Sequence, residues 1–261
     1  MTSEVDFTEN YLERLRDGQT AALLAGFAGE PAVDYPLGGS VRGAEAFRKF
    51  VADRSAWLSE RGARIERLRT TRASGRTVSE NLVYLTLPDR AGEVEVPVAV
   101  VGAHAPNGRL NALRVYHSLW PLFGAHRVRP PLLAADPAAR FTDVVAEYQR
   151  ALDSGNVDAI VKAFEPDGYF REPAGGEWIY RGQARLREFM THLLTSGGIR
   201  LEHCTITDDG VACALEFNAV QFGPHALAPQ AGVAVYERGP SGRLHAARIY
   251  DDVNVEALAG G

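Results

Sequence analysis

The pattern of apolar and polar positions in residues 140–195 predicts three helices. Apolar side chains recur with helical spacing at Phe141, Val144, Val145, Tyr148 and Leu152. The turn residues Asp153-Ser-Gly-Asn are expected to end this first helix, and a short second helix follows at 157–164. A third helix is predicted over about 183–195, with its end set by Gly197-Gly198.

Alternating patterns in the same region predict strands. Residues 168–173 and 177–181 flank Gly175-Gly176 and indicate a short hairpin. Four longer strands are predicted near 199–207, 211–222, 230–238 and 243–251, separated by turns rich in Asp, Gly and Pro. Helices followed by a meander of strands predict an α+β domain, with the helices on one face of a largely antiparallel sheet.

This pattern occurs twice in the chain. Matches follow one another in the same order at a nearly constant spacing: Tyr11 with Tyr148, Gly18 with Gly155, Phe27 with Phe164, Pro36 with Pro173, and Phe50 with Phe189. Segment 107–116 also parallels segment 241–250. We therefore predict a tandem duplication, with a first copy over residues 1–126 and a second over 140–261. Residues 127–139 hold three prolines and are predicted to be the linker.

Composition narrows the classes of function. The 261 residues carry a formal charge of −5 and no Lys/Arg run, which argues against a nucleic-acid partner. No apolar run approaches the roughly 20 residues of a membrane-spanning helix, and the N-terminus lacks the pattern of a signal peptide. We therefore expect a cytoplasmic protein with no membrane partner. The two cysteines, Cys204 and Cys213, are expected to be neighbouring free thiols across the turn at Asp208-Asp209, and no metal site or cofactor is predicted.

Three segments of the second copy carry a family resemblance: Tyr148 to Phe164, Arg171-Glu-Pro173, and Arg181-Gly182 followed by Arg187-Glu-Phe189. Together they resemble the N-terminal half of bacterial ketosteroid isomerases. The whole chain resembles, once per repeat, SnoaL-like polyketide cyclases of the nuclear transport factor 2-like superfamily. The resemblance implies two cone-shaped α+β domains, each with three helices packed on a curved sheet. It does not choose a function, because this fold hosts isomerases, cyclases, hydratases, epoxide hydrolases, transport factors and binders.

The resemblance also implies catalytic residues in the second copy. Tyr148 matches the isomerase tyrosine that donates a hydrogen bond to the enolate oxygen, and Glu172 matches the acid that shuttles the proton. The further aspartic acid of the isomerases has no counterpart, because segment 232–236 holds no carboxyl group. Asp251 lies where SnoaL-like cyclases place an acid near the end of the sheet. The first copy departs from this set, with Tyr11, Tyr35 and His117 at the corresponding positions.

Each catalytic candidate has a plainer alternative. A carboxyl group such as Glu172, at the mouth of an apolar cone, has a raised pKa that suits a general base. The alternative is a solvated loop glutamate or one paired with a neighbouring arginine. Tyr148 can equally be a core tyrosine, and Asp251 can be a strand-end residue with Asp252 beside it in water.

Four further residues are candidate ligand contacts. Trp178 and Tyr180 lie on the lengthened hairpin of the second copy, where aromatic rings can grip a flat apolar ligand. Simple packing is the alternative for both. His192 on the third helix and Ile249 on the last strand complete the set, although a helix histidine such as His192 is more often a structurally satisfied one.

These observations predict a cofactor-free acid–base enzyme, an isomerase, cyclase or hydratase acting on a small apolar carbonyl or polyketide-like compound. Glu172, Asp251 and Tyr148 would be its catalytic residues. A non-catalytic small-ligand binder or scaffold is the alternative. We expect the second cone to bind the ligand and the first to be mainly structural. We also expect the two repeats to form an intramolecular pseudo-dimer through their sheets, with homodimerisation left open.

Overall fold

The computed structural model describes residues 7–73 and 75–253, and the chain divides into two compact units between Gly124 and Ala125. The first unit has four helices within its described residues: α1 (Tyr11–Arg16), α2 (Thr20–Ala25), α3 (Ala44–Glu60) and α4 (Trp120–Phe123). Its strands are β1 (Ala32–Tyr35), β2 (Gly39–Arg42), β3 (Arg64–Ala73), β4 (Arg76–Thr86), β5 (Glu93–His104) and β6 (Leu110–Tyr116).

The second unit has the same number of strands and, within its described residues, three helices. Its helices are α5 (Asp143–Ser154), α6 (Val157–Ala163) and α7 (Gln183–Leu193). Its strands are β7 (Phe164–Arg171), β8 (Ile179–Arg181), β9 (Ile199–Asp208), β10 (Ala212–Phe222), β11 (His225–Arg238) and β12 (Leu244–Tyr250). The predicted elements are therefore present, with boundary differences of a few residues except at β7, which begins at Phe164 instead of 168, and β11, which begins at His225 instead of 230.

The two sheets share one topology. The first has the strand order β2-β1-β6-β5-β4-β3, and the second has the order β8-β7-β12-β11-β10-β9. In each sheet one neighbouring pair is parallel, β1 with β6 and β7 with β12, and the other pairs are antiparallel. The α+β class and the two-domain architecture are therefore confirmed.

Strand alternation decides which side chains meet the helices. Ala247 and Ile249 pack in the second hydrophobic core with residues of α5, α6 and α7, whereas Arg248 and Tyr250 alternate with them on the other sheet face. In the first unit Leu113 and Val115 pack in the core in the same way. We call the spaces between these sheet faces and the helices the first cone and the second cone.

Glycines set the helix ends that shape the cones. Gly155 caps α5 with φ 68°, a conformation that glycine adopts without a Cβ penalty. Asn156 then begins α6, where its side-chain oxygen accepts a hydrogen bond from the Ala159 N–H at 3.0 Å. Gly43 and Gly182 precede α3 and α7 with φ 85° and 80°, so both third helices start from the same backbone turn.

The segment over residues 127–139 is hydrogen-bonded to the second sheet. The Arg129 carbonyl accepts from the Ala231 N–H at 2.9 Å, and the Asp136 N–H donates to the His203 carbonyl at 2.8 Å. The Asn218 side-chain amide donates to the Leu133 carbonyl at 3.1 Å. This segment is therefore part of the second unit. Across the described parts of the chain, no helix is long and apolar enough to cross a membrane.

The two cysteines are both free and buried, but the expectation that they are neighbours is wrong. Cys213 pairs with Asp208 in the β9–β10 hairpin and packs in the second core. Cys204 lies four residues before Asp208 on β9, away from the hairpin turn, and its Sγ lies 3.7 Å from the Leu133 carbonyl oxygen. The hairpin turns around Gly210 and not around Asp208-Asp209, which shifts the register away from a Cys–Cys pair.

Candidate functional site

Glu172 is held by the hairpin that follows β7. Its N–H donates to the Trp178 carbonyl at 3.0 Å, and its own carbonyl accepts from the Gly175 N–H at 3.0 Å. Its side-chain Oε1 accepts a hydrogen bond from the Tyr180 hydroxyl at 2.5 Å. Glu172 is therefore a partly buried carboxyl group with a phenol donor.

An aromatic stack fixes the phenol donor in place. The Tyr180 ring lies on the Phe189 ring of α7, with centroids 3.9 Å apart and planes 12° apart. Phe189 in turn contacts Phe170 of β7 at 5.2 Å. Trp178, on the same hairpin, is 41% exposed and belongs to the surface of the described structure. The hairpin thus contributes Tyr180 to the site and leaves Trp178 outside the packed stack.

Asp251 follows β12 on the sheet face that carries Ala247 and Ile249. One carboxylate oxygen accepts from the Val253 N–H at 3.4 Å. Gly232 of β11 lies beside it: a Cβ atom on Gly232 would come within 2.8 Å of the Asp251 Cβ and 2.5 Å of the Phe217 ring. A glycine at this position therefore makes room for the acid at the edge of the second cone.

The pKa values of the Asp251 and Glu172 carboxyl groups are both raised, chiefly by burial. Burial raises the pKa of Asp251 to about 7, and the negative charges of Asp252 and Glu172 add to this rise, while the Val253 N–H and His126 oppose it. Burial also raises the pKa of Glu172, against the Tyr180 hydrogen bond and the charge of His126, which lower it. Both carboxyl groups therefore keep their protons to a higher pH than the isolated acids do.

Asp252, the neighbour of Asp251, is held by the segment that precedes the second repeat. Asp252 is buried. Its Oδ2 accepts a hydrogen bond from the Arg127 N–H at 2.6 Å, and its Oδ1 lies 2.9 Å from the His126 Nδ1. The alternative in which Asp252 stands in water beside Asp251 is wrong, because the segment before the second repeat covers it. His126 was missed by sequence reasoning because the comparison of the repeats does not include that segment.

Tyr148 is a core residue, and its neighbour Tyr236 is the phenol on which the charge of Asp251 acts. Tyr148 is only 1% exposed, with its ring against those of Phe164 at 5.8 Å and Tyr236 at 5.2 Å. Burial raises the pKa of Tyr148 and of Tyr236, and the charges of Tyr148 and Asp251 raise that of Tyr236 further. Both phenols therefore stay protonated at neutral pH and can act as hydrogen-bond donors. Tyr236 was missed because only a carboxyl group was sought in its segment.

The remaining candidates divide between core and surface. Ile249 packs in the second core and pairs with Ala234 of β11, next to the strand end that carries Asp251. His192 lies on the exposed side of α7, whereas Leu186 and Met190 of that helix are buried. The structure thus brings Glu172, Asp251, Tyr180, Tyr148 and Ile249 around the second cone, and places His192 and Trp178 at the surface.

The first cone holds aromatic groups where the second has carboxyl groups. The Tyr35 ring contacts His117 at 5.7 Å and Phe50 at 5.4 Å. Beside Tyr35 and His117 lies an apolar cavity of about 30 Å³, which Trp57 and Leu12 also line. Binding pockets for drug-sized ligands measure about 300–1,000 Å³, so this cavity has room for water-sized molecules only.

The described residues contain no candidate metal-binding site. Within residues 7–73 and 75–253, no three His, Cys, Asp or Glu side chains are grouped as metal ligands would be. The titratable groups of the site are three carboxyl groups, three phenols and one imidazole.

A comparison with known protein families finds a match within the second unit. Residues 145–245 match the family model of the SnoaL-like domain. The second unit therefore carries a SnoaL-like domain, and the first unit has the same strand order as the second.

Several solved structures are similar to part of the chain. One is SalBIII, an epoxide hydrolase/cyclase-like enzyme with a role in pyran ring formation in the polyether salinomycin, at 26% identity over 41% of this chain and 87% of that one, with a TM-score of 0.35. An LEH-like epoxide hydrolase from M. tuberculosis shares 23% identity over 42% and 80%, with a TM-score of 0.36. An NTF2-like protein of unknown function from Cytophaga hutchinsonii shares 18% over 47% and 98%, with a TM-score of 0.35. No curated protein matches the chain.

Proposed function

We propose that the second domain is a cofactor-free acid–base enzyme that moves a proton on a small apolar carbonyl or polyketide-like compound. One observation carries this proposal: burial in the second domain raises the pKa of two carboxyl groups, those of Glu172 and Asp251, and that of Asp251 to about 7. A general acid or base works best when its pKa lies near the operating pH. Paired carboxyl groups in unlike environments are a common way to divide these roles.

The environments of the two carboxyl groups suggest their roles. Glu172 accepts the Tyr180 hydrogen bond, which favours its ionised form and suits it to remove a proton from the substrate. Burial raises the pKa of Asp251 to about 7, so this carboxyl group can hold a proton near neutral pH and return it to the substrate. Tyr148 and Tyr236 remain phenols and can donate hydrogen bonds to a developing enolate oxygen. Isomerisation, cyclisation and hydration all use such a set.

Substitutions in the two cones test the proposal. Purified full-length protein would be assayed with a β,γ-unsaturated cyclic ketone, whose conjugated product absorbs in the ultraviolet, and with styrene oxide, whose hydrolysis is followed by chromatography. Glu172→Gln and Asp251→Asn should each reduce turnover about 10²–10⁴-fold, because the swaps keep the shape and remove the titrating group. Tyr35→Phe in the first cone is the matched control and should cost far less.

Two results would count against the enzyme. Equal losses from Glu172→Gln and Tyr35→Phe would mean that turnover does not depend on the second cone. Turnover that survives both carboxyl substitutions would remove the acid–base assignment altogether.

A non-catalytic ligand binder of the same fold is the second candidate. The observation that favours it is the Tyr180–Glu172 hydrogen bond, because a carboxylate already engaged by a protein donor is less available as a base. A binder would hold an apolar ligand with an affinity that Glu172→Gln leaves intact, and would turn over neither probe.

The wider organisation of the chain also stays a proposal. We propose that the two domains pair through their sheets, as the tandem duplication and the short segment between the repeats suggest. Small-angle scattering of the full chain tests this, and two independently tumbling domains would refute it. A cytoplasmic location likewise stays a prediction from the sequence.

A further inference from the structure

A groove lies on the second domain between α5, α6 and the turn that joins β11 to β12. Its volume is about 680 Å³. Small-molecule sites measure about 300–1,000 Å³, so the groove has room for such a ligand. Its apolar lining includes the buried side chains of Val144, Ala151 and Ala163, and basic side chains line it as well.

The groove lies at the opposite end of the second sheet from the candidate site. Arg243 lines the groove and directly precedes β12, whereas Asp251 directly follows β12. β7 runs parallel to β12, so Glu172, which follows β7, lies at the same end as Asp251. The ends of a seven-residue strand are about 20 Å apart, at about 3.3 Å per residue. A small molecule in the groove is therefore out of reach of the two carboxyl groups.

Three basic side chains give the groove its charge: Arg150 of α5, Lys162 of α6 and Arg243 of the turn. All three are exposed, and none has a side-chain ion pair or hydrogen bond within residues 7–73 and 75–253. Two acidic residues also line the groove, but Asp143 already forms an ion pair at 2.9 Å with an arginine of β11, which leaves Glu147. This excess of positive charge attracts anions.

The turn that carries Arg243 is held in place by hydrogen bonds. The Ser241 N–H and hydroxyl both donate to the Glu165 Oε1, at 3.0 and 2.8 Å. The Gly239 N–H donates to the Arg243 carbonyl at 2.7 Å, which closes the turn. The backbone of Arg243 is therefore fixed before any ligand binds, and only the side chain has to be ordered on binding.

The first domain does not have this cluster of basic residues. Glu13 and Ala25 stand at the positions that match Arg150 and Lys162. The counterpart of the turn arginine is Arg109, whose Nε and Nη2 donate to the Ala25 carbonyl at 3.0 and 2.6 Å. In the first domain the turn arginine is thus engaged within the fold, and the set of three cations is particular to the second domain.

The first domain also has an aromatic ring in the matching space. The Phe7 ring lies so close to Gly26 that an added Cβ would overlap it, and the ring centroids of Phe7 and Phe27 are 6.1 Å apart. The second domain has Val144 and Ala163 at the positions of Phe7 and Gly26. Because a valine is smaller than a phenylalanine, the space between the two helices stays open in the second domain.

We propose that this groove binds a small organic phosphate, with Arg150, Lys162 and Arg243 contacting the phosphate and the apolar lining contacting a short organic part. A guanidinium group presents paired donors that match phosphate oxygens, and an ammonium group adds a compact charge. A phosphate monoester carries close to two negative charges at neutral pH, which suits three cations beside one unpaired carboxylate. The inference does not depend on the acid–base function proposed for the second cone.

Phenyl phosphate and phenol, which differ by the phosphate group, test the inference. Calorimetric titration of the full-length protein at low ionic strength should show that phenyl phosphate binds at least about tenfold more tightly than phenol. Lys162→Gln and Arg243→Gln should each weaken phenyl phosphate binding about tenfold, because each removes a charge-assisted contact. Arg185→Gln removes an exposed charge of α7, outside the groove, and is the matched control. It should change the affinity by no more than about twofold.

The location of binding and the choice of anion are tested with the same protein. Nitrogen-15 NMR should show that phenyl phosphate shifts the amides of α5, α6 and residues 241–243, and shifts confined to other elements would overturn the inference. Equal affinity for phenol and phenyl phosphate, or equal effects of Lys162→Gln and Arg185→Gln, would also overturn it. Benzoate that binds as tightly as phenyl phosphate would overturn the choice of a phosphate. Glu172→Gln should leave phenyl phosphate binding unchanged, so this inference and the proposed function can fail separately.

Discussion

The two domains of this chain share a framework and differ in their candidate chemistry. Both have the same strand order, a tyrosine on the first helix that packs in the core, and a third helix that starts after a positive-φ glycine. At the mouth of the cone, however, the first domain has Tyr35 and His117 and the second has Glu172 and Asp251. The matched core tyrosines and glycines occur in both domains, whereas the carboxyl groups of the candidate site occur only in the second.

The residues around His117 in the first domain also differ from those around Asp251 in the second. Gly232 makes room for Asp251, whereas the corresponding position in the first sheet is Val98, which lines the small apolar cavity beside His117. Asp252 is braced by His126 and Arg127, which precede the second repeat in the chain. A carboxyl group near an apolar core needs such support, because burial without partners is costly. The second cone thus has the features that a buried acid requires.

The largest expected effect tests whether the frameworks are equivalent. Phe27→Ala and Phe164→Ala remove matched rings that are fully buried and packed edge-on against Phe47 and Tyr148. Each should lower the free energy of unfolding of its own domain by about 3–5 kcal/mol, from lost burial and the cavity left behind. Urea denaturation followed by circular dichroism measures the effect.

The exposed residue Phe123, which is 58% exposed, provides the control for this comparison. Phe123→Ala should change the free energy of unfolding by no more than about 0.5 kcal/mol. A cost that is several times larger in one domain than in the other would show that the two cores are not equivalent.

An intermediate effect should appear in the pH dependence of stability. Asp251 has a pKa of about 7 in the folded protein against 3.8 as an isolated group, so the unfolded chain releases this proton first as the pH rises. The wild-type protein should therefore lose stability between about pH 4 and pH 7 through this residue. Asp251→Asn should not, and at pH 8 it should be the more stable by about 1–3 kcal/mol, a range reduced for partial solvent screening.

Thermal denaturation across this pH range measures the difference. Glu177→Gln, an exposed carboxyl substitution on the same hairpin as Glu172, should follow the wild-type curve. If Asp251→Asn shows the same pH dependence as the wild-type protein, Asp251 titrates like an ordinary surface acid and the proposed acid–base role is lost.

The smallest expected effect concerns the phenol that holds Glu172. The Tyr180 hydrogen bond lowers the pKa of Glu172, so Tyr180→Phe should raise that pKa further and cost about 0.5–1.5 kcal/mol of stability. Carbon-13 NMR of labelled glutamate carboxyl groups measures the titration. Tyr169→Phe, which removes a hydroxyl bonded to Arg248, is the control and should leave the Glu172 titration unchanged. An unchanged Glu172 pKa in Tyr180→Phe would show that this hydrogen bond does not control the carboxyl group.

Local patterns predicted the framework because they depend on near neighbours in the chain. Helical spacing at Val144, Val145, Tyr148 and Leu152 identified α5, and strand alternation put Ala247 and Ile249 on the core face. The ordered matches between the repeats predicted two domains of one fold. Strand boundaries were less certain: β7 begins at Phe164, where a helix end was expected, because pairing with Leu244 of β12 decides it.

What only the tertiary structure decided is how residues far apart in sequence meet. The sequence singled out Glu172, Asp251 and Tyr148, but not the rise in the pKa of Asp251 to about 7 or the contact of His126 with Asp252. It contained no sign that Gln149 and His203 lie together, since the helix and strand that carry them are brought together by packing. The pKa of a carboxyl group depends on its burial and on the charges around it, and these exist only once the chain has folded.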